Sequence, residues 1–347
     1  MDNRKSIVFL YSELAGYFIG CLTALREEYS GEIIVIHWPV NPEAPFEFDF
    51  PEGIQFVEKH SVPDLTDFVK STNPETIVSA GWMDKEYLEV CKSNKGIAKT
   101  VLAMDNHWTG SLKQRIACLL SPFMLKNKFS HVWVPGNPQR IFAEKLGFTK
   151  IILDYYCGDV QLYQSYYERF REYKEAEFPR KFLYVGRYVE HKGIFEMWDA
   201  FINAIEDRTD WELWCLGTGN EYSNRIEHEQ IKHFGFVQPD QMAEYIKGTS
   251  FFVLPSKFEP WGVVVQEYAA AGFPMLLSEN VGASERFLKE KKNGLVFKSG
   301  DVANMTKAFK TMMSISSEQY VNMAGESASI GSSHTTKKWA KTILEIN

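Results

Sequence analysis

The sequence predicts an α/β protein built from two doubly wound parallel sheets. Three observations carry that expectation. Short β-branched or aromatic runs alternate with longer helical patterns, the order that produces parallel βαβ units. The alternation restarts after a charged, tyrosine-rich stretch that is poor in aliphatic residues. The chain also has 347 residues, and single hydrophobic cores usually stop growing at about 250 to 300 residues.

In the first half, SIVFLY (6–11) reads as the opening strand, followed by an apolar-periodic helix over 15–29 and then EIIVIHW (32–38). TIVSAG (76–81), KTVLAM (99–104) and HVWVPG (131–136) supply further strands, each leading into a helix-like segment. These elements define an N-terminal Rossmann-like domain over residues 1–156, with 157–180 as a linker. A second Rossmann-like domain, 181–332, is expected from FLYVGR (182–187), WELWCLG (211–217), HFGFV (233–237), FFVLPS (251–256), PMLLSE (274–279) and GLVF (294–297). Residues 333–347 form a last helical pattern with Trp339 and Ile343 on one face, expected to cross back to the first domain. Two such domains would face each other across a cleft, since ligands of open α/β sheets bind at the carboxyl ends of the strands.

Composition narrows the function classes. Hydrophobic residues at 45% and charged residues at 24% describe a chain able to bury a large core. A net charge of −7 excludes a general nucleic-acid binder, which needs a basic surface to displace counterions from phosphates. The five cysteines are odd in number and form no C-x-x-C pair, so they read as reduced thiols of a cytoplasmic protein. The N-terminus lacks the apolar stretch and cleavage site of a signal peptide, and no run approaches the roughly 18 apolar residues of a membrane span.

The chemistry concentrates in SKFEPWGVVVQEYAAAGFPM, residues 256–275, where Glu259 and Glu267 flank an expected helix start. Pro260 suits the first helical turn and Gly272 the end, which places the helix from Pro260 to Ala271. Glu259 then precedes the helix, and Glu267 sits seven residues in, about 10 Å along the axis. Between them, the free N–H groups of Gly262, Val263 and Val264 and the positive end of the helix dipole form an anion site. An ionised carboxylate only accepts hydrogen bonds, and a vicinal diol offers it two. A ligand with a diol at each end and a diphosphate between them fits: a nucleotide-diphosphate sugar.

The stretch LPSKFEPWGVVVQEYAAAGFPMLLSENVGASE resembles the signature of the retaining family-four glycosyltransferases of the GT-B fold, in which Glu, seven residues and Glu precede A-x-G-x-P and G-x-x-E. Upstream, YVGRYVEHKG (184–193) matches their G-R-x-x-x-x-K-G element, with His191 where the family often has Glu. The resemblance implies that Arg187 and Lys192 grip the diphosphate, that Glu259 binds the transferred sugar and that Glu267 binds the ribose. It also implies that Gly282, in NVGASE, lets the chain approach the donor. There is no D-x-D triplet, so no metal is expected and no cofactor, only a nucleotide-diphosphate sugar as donor substrate. Charged residues are expected to replace the metal at the leaving group.

The first half is expected to recognise the acceptor, a saccharide or a lipid-linked one, and here the resemblance is weaker. Gly16, in YSELAGYF (11–18), matches the family's glycine loop near the diphosphate, with one glycine where relatives often have two. His107, in AMDNHWTGS (103–111), stands where a family histidine contacts the donor sugar. Residues 111–129 place Leu112, Ile116, Leu119, Leu120 and Phe123 on one helix side, with Lys113, Arg115, Lys126, Lys128 and no acid, a pattern for contact with an anionic membrane surface on the inner face of the cell membrane. A retaining transferase of cell-envelope polysaccharide or glycolipid synthesis is the leading reading. A nucleotide-sugar epimerase and a non-catalytic binding protein of the same fold are the alternatives, and the donor base is left open.

Overall fold

Parallel strands separated by helices account for both halves of the computed structural model, which describes residues 5–39, 48–206 and 210–346. The chain divides into two units, residues 1–157 with 336–347, and residues 158–335.

The first unit contains β1 (Ser6–Tyr11), α1 (Gly16–Glu28), β2 (Glu32–His37), β3 (Ile54–Glu58), α2 (Leu65–Ser71), β4 (Pro74–Ala80), α3 (Lys85–Asn94), β5 (Lys99–Ala103), α4 (Leu112–Met124), β6 (His131–Trp133), α5 (Asn137–Lys145) and β7 (Ile151–Ile152). Its sheet runs β3-β2-β1-β4-β5-β6-β7, parallel throughout. The five strands read from sequence are present, and β3 and β7 are additions at the two edges. β1 is buried at every position, as a central parallel strand covered on both faces must be.

The second unit contains α6 (Val160–Glu177), β8 (Lys181–Val185), α7 (Ile194–Ile205), β9 (Glu212–Leu216), β10 (Ile231–Gly235), α8 (Ala243–Gly248), β11 (Phe251–Leu254), α9 (Val263–Ala270), β12 (Met275–Ser278), α10 (Ser284–Phe287), β13 (Gly294–Phe297), α11 (Val302–Met313) and α12 (Ser317–Gly331). Its sheet order is β10-β9-β8-β11-β12-β13. An aromatic core joins sheet to helices: Phe182 of β8 packs against Phe251 at 5.1 Å, Trp211 at 5.4 Å and Phe309 of α11 at 4.9 Å between ring centroids.

The expected linker over 157–180 is corrected. Most of it is α6, part of the second unit. Its buried face consists of Val160, Tyr163, Tyr166, Phe170 and Lys174, at helical spacing but with tyrosines and a lysine stem in place of aliphatic residues.

The last helix, α13 (Thr336–Leu344), belongs to the first unit. Trp339 is buried there, stacked on Trp133 at 5.1 Å, and its Nε1–H donates to the Tyr155 carbonyl at 2.7 Å.

Candidate functional site

β8 and β11 are neighbours in the second sheet although their connections leave in opposite directions, β8 toward β9 and β11 toward β12. Such a switch point opens a crevice beyond the carboxyl ends of the two strands. The loops that border it carry most of the residues singled out by the sequence.

The loop after β8 is held by its neighbours. The Tyr184 hydroxyl donates to the Arg187 carbonyl at 2.9 Å, and the Tyr188 N–H donates to Thr218 O at 2.8 Å. His233 of β10 donates from Nε2 to the Ile226 carbonyl at 2.9 Å, so in the neutral ring its Nδ1 accepts from the Tyr188 hydroxyl at 2.8 Å. Burial is the first cause that lowers the His233 pKa, which keeps that neutral arrangement. A short 3-10 turn, Glu190–Lys192, follows and ends at Gly193, where φ is +68°. A Cβ at Gly193 would fall 2.4 Å from the Pro255 carbonyl, so this glycine permits the turn to lie against the loop after β11.

That approach brings Lys192 to Glu259. Lys192 Nζ forms an ion pair with Glu259 Oε2, and the two side chains are only 16% and 12% exposed. Ser256 Oγ donates to the same carboxylate oxygen at 3.2 Å. The Glu259 backbone is fixed as well: its N–H donates to Asn280 O at 3.2 Å and its carbonyl accepts from Gly282 N–H at 3.0 Å. The Gly282 amide is thus occupied in holding the Glu259 backbone.

The helix start differs from the sequence expectation. α9 begins at Val263, three residues after Pro260, because Gly262 adopts a left-handed conformation (φ +89°) as its N-cap. A Cβ at Gly262 would sit 3.0 Å from Glu259 Cγ. The amides of Gly262, Val263 and Val264 have no backbone acceptor among the described residues, as the first turn of a helix requires. Glu267 is the fifth helical residue, about 6 Å along the axis from Val263. It is half-buried, and its Oε1 accepts from the Asp159 N–H at 3.4 Å. Burial pushes its carboxyl up to about 7.

Arg187 is exposed at the mouth of the β8 loop and makes no ion pair among the described residues. Gly16 and His107 belong to the first unit. Gly16 opens α1 with empty space where a side chain would project. His107 lies half-buried in the loop after β5, its pKa lowered by burial against an opposing pull from Asp105. Its carbonyl accepts from Gln114 Nε2 at 2.7 Å. Sequence reasoning missed Ser256, Tyr188 and His233. Ser256 stood inside the quoted motif without a role, and nothing in the spacing of Tyr188 and His233, 45 residues apart, signals their bond.

Comparison with known proteins places these features in a family context. The family model for glycosyl transferases group 1 matches residues 167–328, which include every site residue of the second unit named above. An uncharacterized glycosyltransferase of Methanocaldococcus jannaschii is 31% identical over 121 residues, 33% of this chain and 30% of that protein. The lipopolysaccharide core biosynthesis glycosyltransferase LpsE of Rhizobium meliloti is 26% identical over 136 residues, 37% of this chain and 38% of that protein. The chain thus spans well under half the length of either relative. The crystal structure of Anabaena Alr3699/HepE in complex with UDP and glucose superposes with a TM-score of 0.73 at 15% identity, covering 99% of this chain and 98% of that one. The fold is therefore the GT-B fold.

Proposed function

We infer that this chain is a retaining glycosyltransferase that moves a sugar from a nucleotide diphosphate to an acceptor hydroxyl, in the synthesis of a polysaccharide or glycolipid. The observation that carries the reading is the Lys192–Glu259 ion pair beside the free amides of Gly262, Val263 and Val264, at the switch point of the second sheet. Lys192 and Arg187 then neutralise the diphosphate, Glu259 accepts hydrogen bonds from the sugar hydroxyls and Glu267 accepts from the ribose diol. The family match over residues 167–328 supports these roles, as does a GT-B relative solved with UDP and glucose. LpsE, by its name a lipopolysaccharide core enzyme, supports the acceptor class.

In the reaction, the bond from the sugar's anomeric carbon to the phosphate oxygen breaks while the acceptor oxygen bonds to the same face of that carbon. The acceptor's proton passes to the departing phosphate. Charge develops on the phosphate, so cations and a helix N-terminus aimed at it lower the barrier without reorganising, and no metal is required in this scheme.

A thermal-shift panel of UDP, GDP, ADP, CMP and dTDP, each with magnesium and with EDTA, tests the site. One nucleoside diphosphate should raise the melting temperature in both conditions, through binding to the native state alone. The shift should vanish in Lys192→Ala. Stabilisation only with magnesium would overturn the metal-free assignment, and an unchanged shift in Lys192→Ala would overturn the site.

A further inference from the structure

α4 meets its unit through a narrow stripe of small residues. Ser121 is fully buried and donates from Oγ to the Leu146 carbonyl at 2.7 Å, while Ala117 and Cys118 pack against the core. The large apolar side chains point the other way. Leu112 is 73% exposed, Ile116 47%, Leu119 77%, Leu120 45%, Phe123 76% and Met124 50%. Single exposed apolar residues are ordinary, but six along one helix form a contiguous patch of the kind that marks an interaction surface.

The charge around the patch points to its partner. Lys113, Arg115, Lys126 and Lys128 make no ion pair among the described residues, and no Asp or Glu occurs from residue 106 to 143. The whole chain carries −7, so this basic segment runs against the overall balance. A second copy docking face to face would set these cations against their own equivalents, since a two-fold interface pairs a surface with itself. A lipid surface with anionic headgroups offers hydrocarbon to the six apolar side chains and phosphates to the four cations. At 13 residues α4 is too short to span a bilayer, which takes about 20, so it would lie in the interface plane.

We propose that α4 is a docking helix for anionic membranes. The helix is also tied to the loop that carries His107: Gln114 accepts from the Thr109 N–H at 2.7 Å and donates to the His107 carbonyl at 2.7 Å. Docking through α4 therefore holds that loop close to the lipid surface. The inference stands apart from the transferase reading, because it rests on exposure and charge alone.

Co-sedimentation with phosphatidylcholine vesicles, with and without phosphatidylglycerol, tests it at low and high salt. The protein should pellet with the anionic vesicles only, less so in high salt. Leu119→Ser with Phe123→Ser should weaken partitioning about tenfold or more. Lys113→Gln with Arg115→Gln should weaken it on anionic vesicles by about fivefold per residue. All four positions are exposed, so both variants should melt at the wild-type temperature, and circular dichroism checks that they do. Failure of the wild type to bind, or equal binding by either double variant, would overturn the proposal. So would a dimer by light scattering that Leu119→Ser dissociates, which would assign the face to self-association.

Discussion

Lys192 and Glu259, 67 residues apart in sequence, are ion-paired across the switch point of the second sheet. The lysine arrives on the 3-10 turn after β8, and the glutamate on the loop after β11. Each limits the other's freedom in a site with little solvent access. A ligand that enters must compete with this pair or bridge it, and in the proposed transferase reading its phosphate meets Lys192 and its hydroxyls meet Glu259.

Truncating the two partners should give different phenotypes. Lys192→Ala removes a cation from the leaving group and leaves Glu259 partly buried without its ion pair. It should lower turnover by about a hundredfold or more and weaken diphosphate binding. Glu259→Ala removes the proposed acceptor for the sugar hydroxyls and releases Lys192 from its ion pair while leaving that cation in place for the diphosphate, so it should abolish transfer while keeping nucleoside diphosphate affinity within severalfold. Calorimetric titration of both variants with the nucleotide found in the thermal-shift panel separates these outcomes. Equal loss of nucleotide binding in both would contradict the division of roles.

Gly262→Ala should damage the site without removing a charged group. The residue holds a left-handed conformation, which costs a non-glycine residue about 1–2 kcal/mol, and the new Cβ would press on Glu259 Cγ from 3.0 Å. A fall of several degrees in melting temperature together with a loss of transfer is the expected result. If Gly262→Ala keeps full turnover, Glu259 does not need its present position.

Much of this fold was legible because buried parallel strands read as near-continuous apolar runs, as SIVFLY and FFVLPS do. β7 escaped because only Ile151 and Ile152 form it. α6 reads as a linker in sequence because it is rich in charge and tyrosine and poor in aliphatic residues, while its buried face is largely aromatic and includes the stem of Lys174. At the site, the motifs identified Lys192 and Glu259 singly but not their pairing, since spacing along the chain carries no information about a contact between two loops. Pro260 misplaced the start of α9: its preference for the first helical turn was overridden by the left-handed Gly262, which redirects the chain two residues later.

Lys174 offers a stability test away from the site. It is 4% exposed, its ammonium has no hydrogen-bond partner among the described residues, and it lies 3.7 Å from the centroid of the Phe273 ring. Burial pushes its pKa down to about 7. The unfolded chain, with the ordinary lysine value, holds the proton more tightly between the two pKa values, so stability rises with pH over that window and is lost as pH falls toward 7. Lys174→Met should stabilise the protein by about 1–3 kcal/mol at neutral pH and flatten the dependence of melting temperature on pH above 7. A destabilised Lys174→Met with unchanged pH dependence would mean that contact with the Phe273 ring outweighs desolvation.

Glu267 should make nucleotide binding pH-dependent. Its carboxyl, raised to about 7 by burial, is partly protonated near neutrality, and only the ionised form accepts both hydrogen bonds of a ribose diol. Binding that selects the ionised form must weaken as pH falls below 7, approaching tenfold per pH unit until the pKa of the bound state is reached. The unliganded fold has the opposite preference. A carboxyl whose folded pKa lies above its unfolded value of 4.5 contributes stability below 4.5, and that contribution is lost as pH rises through 7. Glu267→Gln removes both effects: it should bind nucleotide more weakly at pH 8, lose the steep dependence between pH 6 and 8, and melt higher than wild type when unliganded at pH 8. The phosphate groups of the ligand titrate in the same range, so the slope that survives in Glu267→Gln measures their share. A slope identical to wild type would assign all of the pH dependence to the ligand and remove Glu267 from the ribose site.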